Sequence, residues 1–95
     1  MRAPLSIVIP TLNAQTMLPE TLASLMEGVE AGLVRELIIS DGGSVDDTQT
    51  IATEVGAQWI TGPASRGAQL ARGGHAAKGE WLLFCLLYTS DAADD

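Results

Sequence analysis

Aromatic residues make up only 4% of this chain, cysteine occurs once, and 5 basic residues stand against 12 acidic ones. Each scarcity excludes something. With so few aromatics, the core has to be assembled from Leu, Ile, Val and Ala, and the 46% apolar share is ordinary for a globular protein. The lone Cys85 has no internal disulfide partner, and Met1–Pro10 lacks the length and pattern of a secretory signal; a reducing, cytoplasmic setting is therefore expected. A net charge of −7 is wrong for non-specific nucleic-acid binding, which draws its affinity from Lys and Arg neutralising phosphates. No apolar run approaches the roughly 20 residues that span a bilayer, so no membrane segment is expected in this piece. Two glycine signatures are missing as well. The first apolar run is not followed by G-x-G-x-x-G, and no G-x-x-x-x-G-K-[ST] occurs, which excludes the dinucleotide and P-loop phosphate cradles. Finally, 95 residues is short for a complete α/β enzyme, because burial per residue falls as chains shrink; a fragment is expected.

What the chain does have is alternation. Leu5–Pro10 is a short β-branched run without polar alternation, as a strand covered on both faces requires, and Pro10 is expected to end it. Leu18, Leu22, Leu25, Met26 and Val29 then recur at helical spacing on one face. Thr16 is placed to cap that helix, Pro19 to sit in its first turn and Gly32 to stop it. Glu36–Ser40 reads as a second strand that empties into the polar turn Asp41–Thr48. Asp46 or Asp47 is expected to cap a helix over Thr48–Val55, with Ile51, Ala52 and Val55 inward and Gly56 closing it. Gln58–Thr61 follows as a strand, Ser65–Lys78 as a helix weakened by Gly73 and Gly74, and Trp81–Phe84 as the last strand.

The order β-α-β-α-β-α-β predicts an α/β fold with right-handed crossovers, a parallel sheet and helices on both faces. Ligands of such sheets lie outside the carboxyl ends of the strands. Two polar clusters follow consecutive strands there, Pro10–Asn13 and Asp41–Ser44, and are expected to meet across one crevice.

Those clusters, I-V-I-P-T-L-N and I-I-S-D-G-G-S-V-D-D-T, together with G-P-A-S-R-G-A-Q-L and the closing G-E-W-L-L-F, resemble family 2 glycosyltransferases over nearly all of Met1–Phe84. The Asp-Gly-Gly-Ser and Arg-Gly-x-Gln variants are further similar to the subgroup associated with arsenosugar biosynthesis. The resemblance implies the nucleotide-binding half of a glycosyltransferase A (Rossmann-like) fold, truncated, with a nucleotide-diphosphate sugar, a UDP-sugar foremost, as donor and an unknown acceptor. Thr11 and Asn13, just past Pro10, suit hydrogen bonds to a ribose or base edge, or equally a polar turn with a helix cap. In the family the Asp41 position accepts from a pyrimidine ring N–H; loop capping is the alternative use of its carboxylate. Gly42, Gly43 and Ser44 allow a tight backbone beside a ligand, as would any Asp-Gly turn. Arg66, at a helix start, matches a diphosphate or is simply a solvated surface cation. Gln69 follows the subgroup pattern, whereas Ala71 stands where that pattern has asparagine and Ala14 where the family often has an acid. His75, among alanines and glycines, reads as a surface or helix-end residue.

The complete enzyme of this family is expected to use a divalent cation, Mg or Mn, held by an Asp-x-Asp-type segment after the fourth strand. That segment does not follow Phe84. Residues 85–95, CLLYTSDAADD, resemble instead the translation of a transposase adapter used in sequencing libraries, with a natural acidic tail as the other possibility. On the adapter reading residues 1–84 are the partial donor-binding domain, Cys85 is not a native thiol, and Asp91, Asp94 and Asp95 are not metal ligands. Setting those three acids aside takes the net charge from −7 to −4. The parent is then expected to be an inverting glycosyltransferase whose catalytic base and metal ligands lie elsewhere, and this chain to lack turnover. A non-catalytic nucleotide-binding module is the alternative.

Overall fold

A computed structural model of the chain describes residues 3–87. The elements run β1 (Leu5–Thr11), α1 (Leu18–Glu30), β2 (Val34–Asp41), α2 (Thr48–Glu54), β3 (Gln58–Thr61), α3 (Arg66–Ala76) and β4 (Trp81–Phe84). This is the alternation that the apolar patterning predicts. Every pairing is parallel and the strand order is β3-β2-β1-β4. The chain steps outward from β1 to β3 and then crosses back to the other side of β1, so the winding reverses between β1 and β4. In open parallel sheets such a reversal opens a crevice at the strands' carboxyl ends.

Side chains alternate across each strand, and the two sheet faces are built differently. Ile7 and Ile9 of β1 and Ile39 of β2 join Leu18 and Leu22 of α1 and Ala52 of α2 in the apolar core. Burying each large aliphatic chain contributes about 1.5–3 kcal/mol. The opposite face, under α3, carries Ser6, Val8, Ile38 and Ser40, all fully buried. It is tight because of one glycine. A Cβ at Gly73 would fall within the envelope of the Val8 Cγ1 methyl, so α3 reaches the sheet only without a side chain there. At the sheet's opposite end, Glu36 accepts from the Ser6 hydroxyl at 2.6 Å and from the Lys78 amide, tying the start of β4 to β1 and β2.

Several local expectations are corrected. Pro10 does not end β1, which continues through Thr11. The Val8 carbonyl accepts from Cys85, so Val8 and, by alternation, Pro10 turn their backbones toward β4; there β4 has already stopped at Phe84, and no ladder bond is lost. Thr16 does not cap α1: Met17 is the N-cap with no side-chain bond, and the Ala14 carbonyl accepts the amides of Met17 and Leu18. Asp47 is the N-cap residue of α2, but the side chain that bonds the helix entrance is that of Asp46, which accepts from the Thr48 amide at 3.0 Å. Val55 follows α2 and is exposed, as are Met26 and Val29 at the margin of the α1 face. Gly32 and Gly56 close their helices with positive φ, as expected.

Candidate functional site

The loop after β1 and the loop after β2 were expected to face one another across a crevice. The structure joins them directly. Thr11 and Asp41 are register partners at the last rung of the β1–β2 ladder, and the Thr11 hydroxyl donates to Asp41 Oδ1 at 2.6 Å. The Ser44 hydroxyl donates to the same oxygen at 2.5 Å, while the amides of Gly43 and Ser44 donate to Oδ2 at 2.8 and 2.6 Å. Four donors thus converge on one buried carboxylate, filling its four lone-pair directions. Burial acts to raise the Asp41 carboxyl, but the bonds from Ser44, Thr11 and Gly43 together outweigh it and hold it below its ordinary value.

Asn13 adopts a left-handed conformation, φ 52°, which its short amide tolerates. There it bridges the loops both ways: its backbone N–H donates to Ser44 Oγ at 2.7 Å, and its side-chain Oδ1 accepts from the Val45 backbone N–H at 2.8 Å. One residue further the Ala14 amide donates to the buried Thr48 hydroxyl at 2.9 Å, and the Gln15 amide to Asp46 at 3.2 Å. Thr48 and Asp46 thus tie the first loop to the second, although from the sequence Asp46 is expected only to cap the helix and Thr48 only to begin it. Their signal was a small hydroxyl at the first helical position beside an acid, which is common enough in ordinary caps to carry no distinction.

The open space lies on the other side of the first loop. A cleft of about 410 Å³ runs between Pro10, Thr11, Leu12 and Ala14 on one wall and Ala64, Ser65, Arg66 and Gln69 on the other, with Leu87 at its margin. It opens at the carboxyl end of β1, where the winding reverses. Of the sequence-derived candidates, Pro10, Thr11, Arg66 and Gln69 line it; Asn13, Asp41, Gly42, Gly43 and Ser44 are not among the lining residues, and Asp41 is linked to the cleft through its bond from Thr11. Arg66 is exposed in the first turn of α3. Ser65 is the N-cap, its hydroxyl accepting from the Ala68 amide. Gly42 is hemmed in, since a Cβ there would meet Ala64 Cα at 3.0 Å and Gln69 Oε1 at 3.1 Å. Ser40 and Arg72 were not singled out from the sequence. The Ser40 hydroxyl donates to the Gln69 carbonyl, and Arg72 lies against Gly62 and donates to the Pro63 carbonyl at 3.1 Å, holding the segment that leads into Ala64. His75 is exposed in the last turn of α3, away from the cleft lining.

Residues 6–85 match the profile of Glycosyl transferase family 2. The chain belongs to glycosyl transferase family 2. This family 2 chain is 39% identical over 92 residues to a PGL/p-HBAD biosynthesis glycosyltransferase of Mycobacterium bovis, covering 88% of this chain and 35% of that protein. It is 38% identical over 63 residues to glucosyl-3-phosphoglycerate synthase of Mycolicibacterium smegmatis, covering 63% of this chain and 20% of that one. The chain therefore spans a fifth to about a third of the length of these curated relatives. Its fold superposes on the crystal structure of glucosyl-3-phosphoglycerate synthase from Mycobacterium tuberculosis in complex with Mn2+, UDP and glucosyl-3-phosphoglycerate. The TM-score is 0.76 at 31% identity, over 88% of this chain and 33% of that one. The parallel α/β, Rossmann-like sheet of glycosyltransferase A structures is thus the observed architecture, and the family 2 homologues are transferases.

Among the described residues no three His, Cys, Asp or Glu side chains come together as a metal site. Asp41, the deepest carboxylate, spends both oxygens on internal donors. The described residues therefore do not fit the divalent cation that the family implies, and no step is assigned to one. Asp91, Asp94 and Asp95 lie outside the described residues. No helix among the described residues is long and apolar enough to cross a membrane.

Proposed function

We propose that residues 1–84 are the donor-nucleotide half of a glycosyltransferase, and that the cleft beside β1 receives the nucleoside diphosphate of a nucleotide sugar, a UDP-sugar foremost. The carrying observation is the composition of the two walls. One wall presents Thr11 backed by an ionised, fully hydrogen-bonded Asp41; the other presents a helix start with Arg66 at its first position. The first suits a neutral donor edge such as a pyrimidine or ribose, and the second suits a diphosphate. Similarity to a synthase crystallised with UDP supports the same reading.

In this reading Pro10, Thr11 and Asn13 frame the ribose and base. Asp41 accepts the pyrimidine ring N–H when a hydroxyl donor, Ser44 or Thr11, rotates away from it; the amides of Gly43 and Ser44 stay, because the backbone fixes them. Gly42, Gly43 and Ser44 keep the loop close to the ligand, Arg66 pairs with the diphosphate, and Gln69 lines the floor. The complete enzyme inverts the sugar's anomeric centre through a base that deprotonates the acceptor hydroxyl. That base and any ligands for Mg or Mn belong to parts of the protein outside residues 1–84, so this chain alone has no turnover. In the same reading residues 85–95 are adapter-derived, and the Asp-Gly-Gly-Ser and Arg-Gly-x-Gln variants support a parent similar to the arsenosugar-biosynthesis subgroup.

The reading is tested by calorimetric titration of the 95-residue chain with UDP, with ADP as control, beside an Asp41→Asn variant that keeps the side chain's shape. Uridine-selective binding that drops about tenfold or more in the variant is expected. A folded chain that binds neither nucleotide removes the donor-site reading. Sugar transfer from a UDP-sugar by the purified chain would overturn the expected lack of turnover.

A further inference from the structure

Gln69 lines the proposed donor cleft, yet its side-chain nitrogen is already committed. The side chain is 5% exposed. Its amide nitrogen has two hydrogens, and both are used: Nε2 donates to the Thr11 carbonyl at 2.8 Å and to the Ser40 carbonyl at 2.9 Å. Oε1 sits over Gly42, where no side chain intervenes. The main chain of the same residue is tied as well, since its carbonyl accepts the Ser40 hydroxyl at 2.6 Å and its amide donates to Ser65 at 2.8 Å. One residue of α3 thus clasps the last rungs of β1 and β2, where the parallel ladder is about to run out.

Position along the helix gives the clasp its consequence. Gln69 lies one turn past Arg66, and residues three apart share a helix face. Thr11 also receives the Gly42 amide on its carbonyl at 2.9 Å. Thr11, Gly42 and the first turn of α3 are therefore held around a single side chain.

We propose that Gln69 is a positioning residue that sets the phosphate-facing first turn of α3 in register with the base-facing exits of β1 and β2, without touching the nucleotide. The inference rests on the donor-site reading and adds a mechanism to it. Asparagine is one methylene too short for both carbonyls, and glutamate lacks the N–H groups. Methionine fills a similar volume without donors and is the informative replacement.

The test is a double-mutant cycle on the full 95-residue chain, with UDP and with uridine as calorimetric titrants and circular dichroism to confirm folding. Arg66→Ala is expected to weaken UDP by about tenfold and to leave uridine nearly unchanged. Gln69→Met is expected to weaken UDP by about tenfold and uridine by less than about threefold, and adding Arg66→Ala to it costs at most about twofold more, because the arginine is no longer held in place. Ser40→Ala, which removes the second tie, gives the same non-additivity at smaller size and serves alone if Gln69→Met does not fold. Additive losses, or equal losses of UDP and uridine in the Gln69 or Ser40 variants, overturn the positioning role while leaving the donor site standing. No UDP binding by the unmodified folded chain removes both.

Discussion

At the carboxyl ends of β1 and β2 the buried polar side chains are bonded and the apolar ones covered; along β4 the apolar side chains are left largely uncovered. Thr11, Ser40, Asp41, Thr48 and Gln69 are polar, at most 5% exposed, and each is bonded to a residue from another element. Trp81, by contrast, is 70% exposed, and Leu82, Leu83 and Phe84 are between 42% and 45% exposed, although all four are apolar. β4 holds its place by its ladder to β1 and by the Glu36 bridge. The contrast shows where the stability of this chain resides. The β1–β2 half with α1 and α2 is cross-linked through side chains, whereas β4 is an edge whose side chains add little and whose free backbone and apolar faces favour association.

The sharpest way to break the contrast is Asp41→Ala. It strands the Thr11 hydroxyl and the amides of Gly43 and Ser44, and an unfolding free energy lower by about 4 kcal/mol is expected from denaturant titration. The same carboxylate makes stability depend on acidity. Because its folded value is lowered, its contribution is complete above the ordinary aspartate range and is lost as pH falls through that range toward the folded value. Stability should thus fall on acidification below about pH 5, and less steeply in Asp41→Asn. Asp46 and Glu36, also lowered, keep some of the slope.

Next in size is a matched pair of truncations. Ile39→Ala empties a fully buried site and should cost about 3 kcal/mol, whereas Leu83→Ala on β4 should cost less than about 1 kcal/mol and reduce self-association by light scattering. Equal costs would mean that β4 is as well packed as β2.

The smallest effects come from two glycines of α3. Gly73→Ala forces a methyl into Val8 and should destabilise by about 1–2 kcal/mol despite the better helix propensity of alanine. Gly67→Ala meets nothing within 4 Å and should stabilise by about 0.5–1 kcal/mol, read as a higher melting temperature.

The element order, the parallel sheet, the two helix stops at Gly32 and Gly56, and the gathering of Pro10–Asn13 and Asp41–Ser44 at one end of the sheet were all legible in the sequence. They depend on local period and turn chemistry, which neighbouring residues carry among themselves. Errors were confined to element ends such as Pro10, Thr16 and Val55, where a ladder that has stopped or a carbonyl that stands in for a cap decides the outcome. The partners of the polar residues were not legible. Gln69 reaches a carbonyl 58 positions earlier and another 29 earlier, and Asn13 meets Ser44 across 31 positions. Such pairs come into being when β1 and β2 are laid side by side and α3 settles on them, an approach that Gly73 permits and the buried polar groups then complete. Local sequence by itself determined which residues stand at the strand exits; the pairing of β1 with β2 and the packing of α3 on them decided which of those residues bond one another and where the cleft opens.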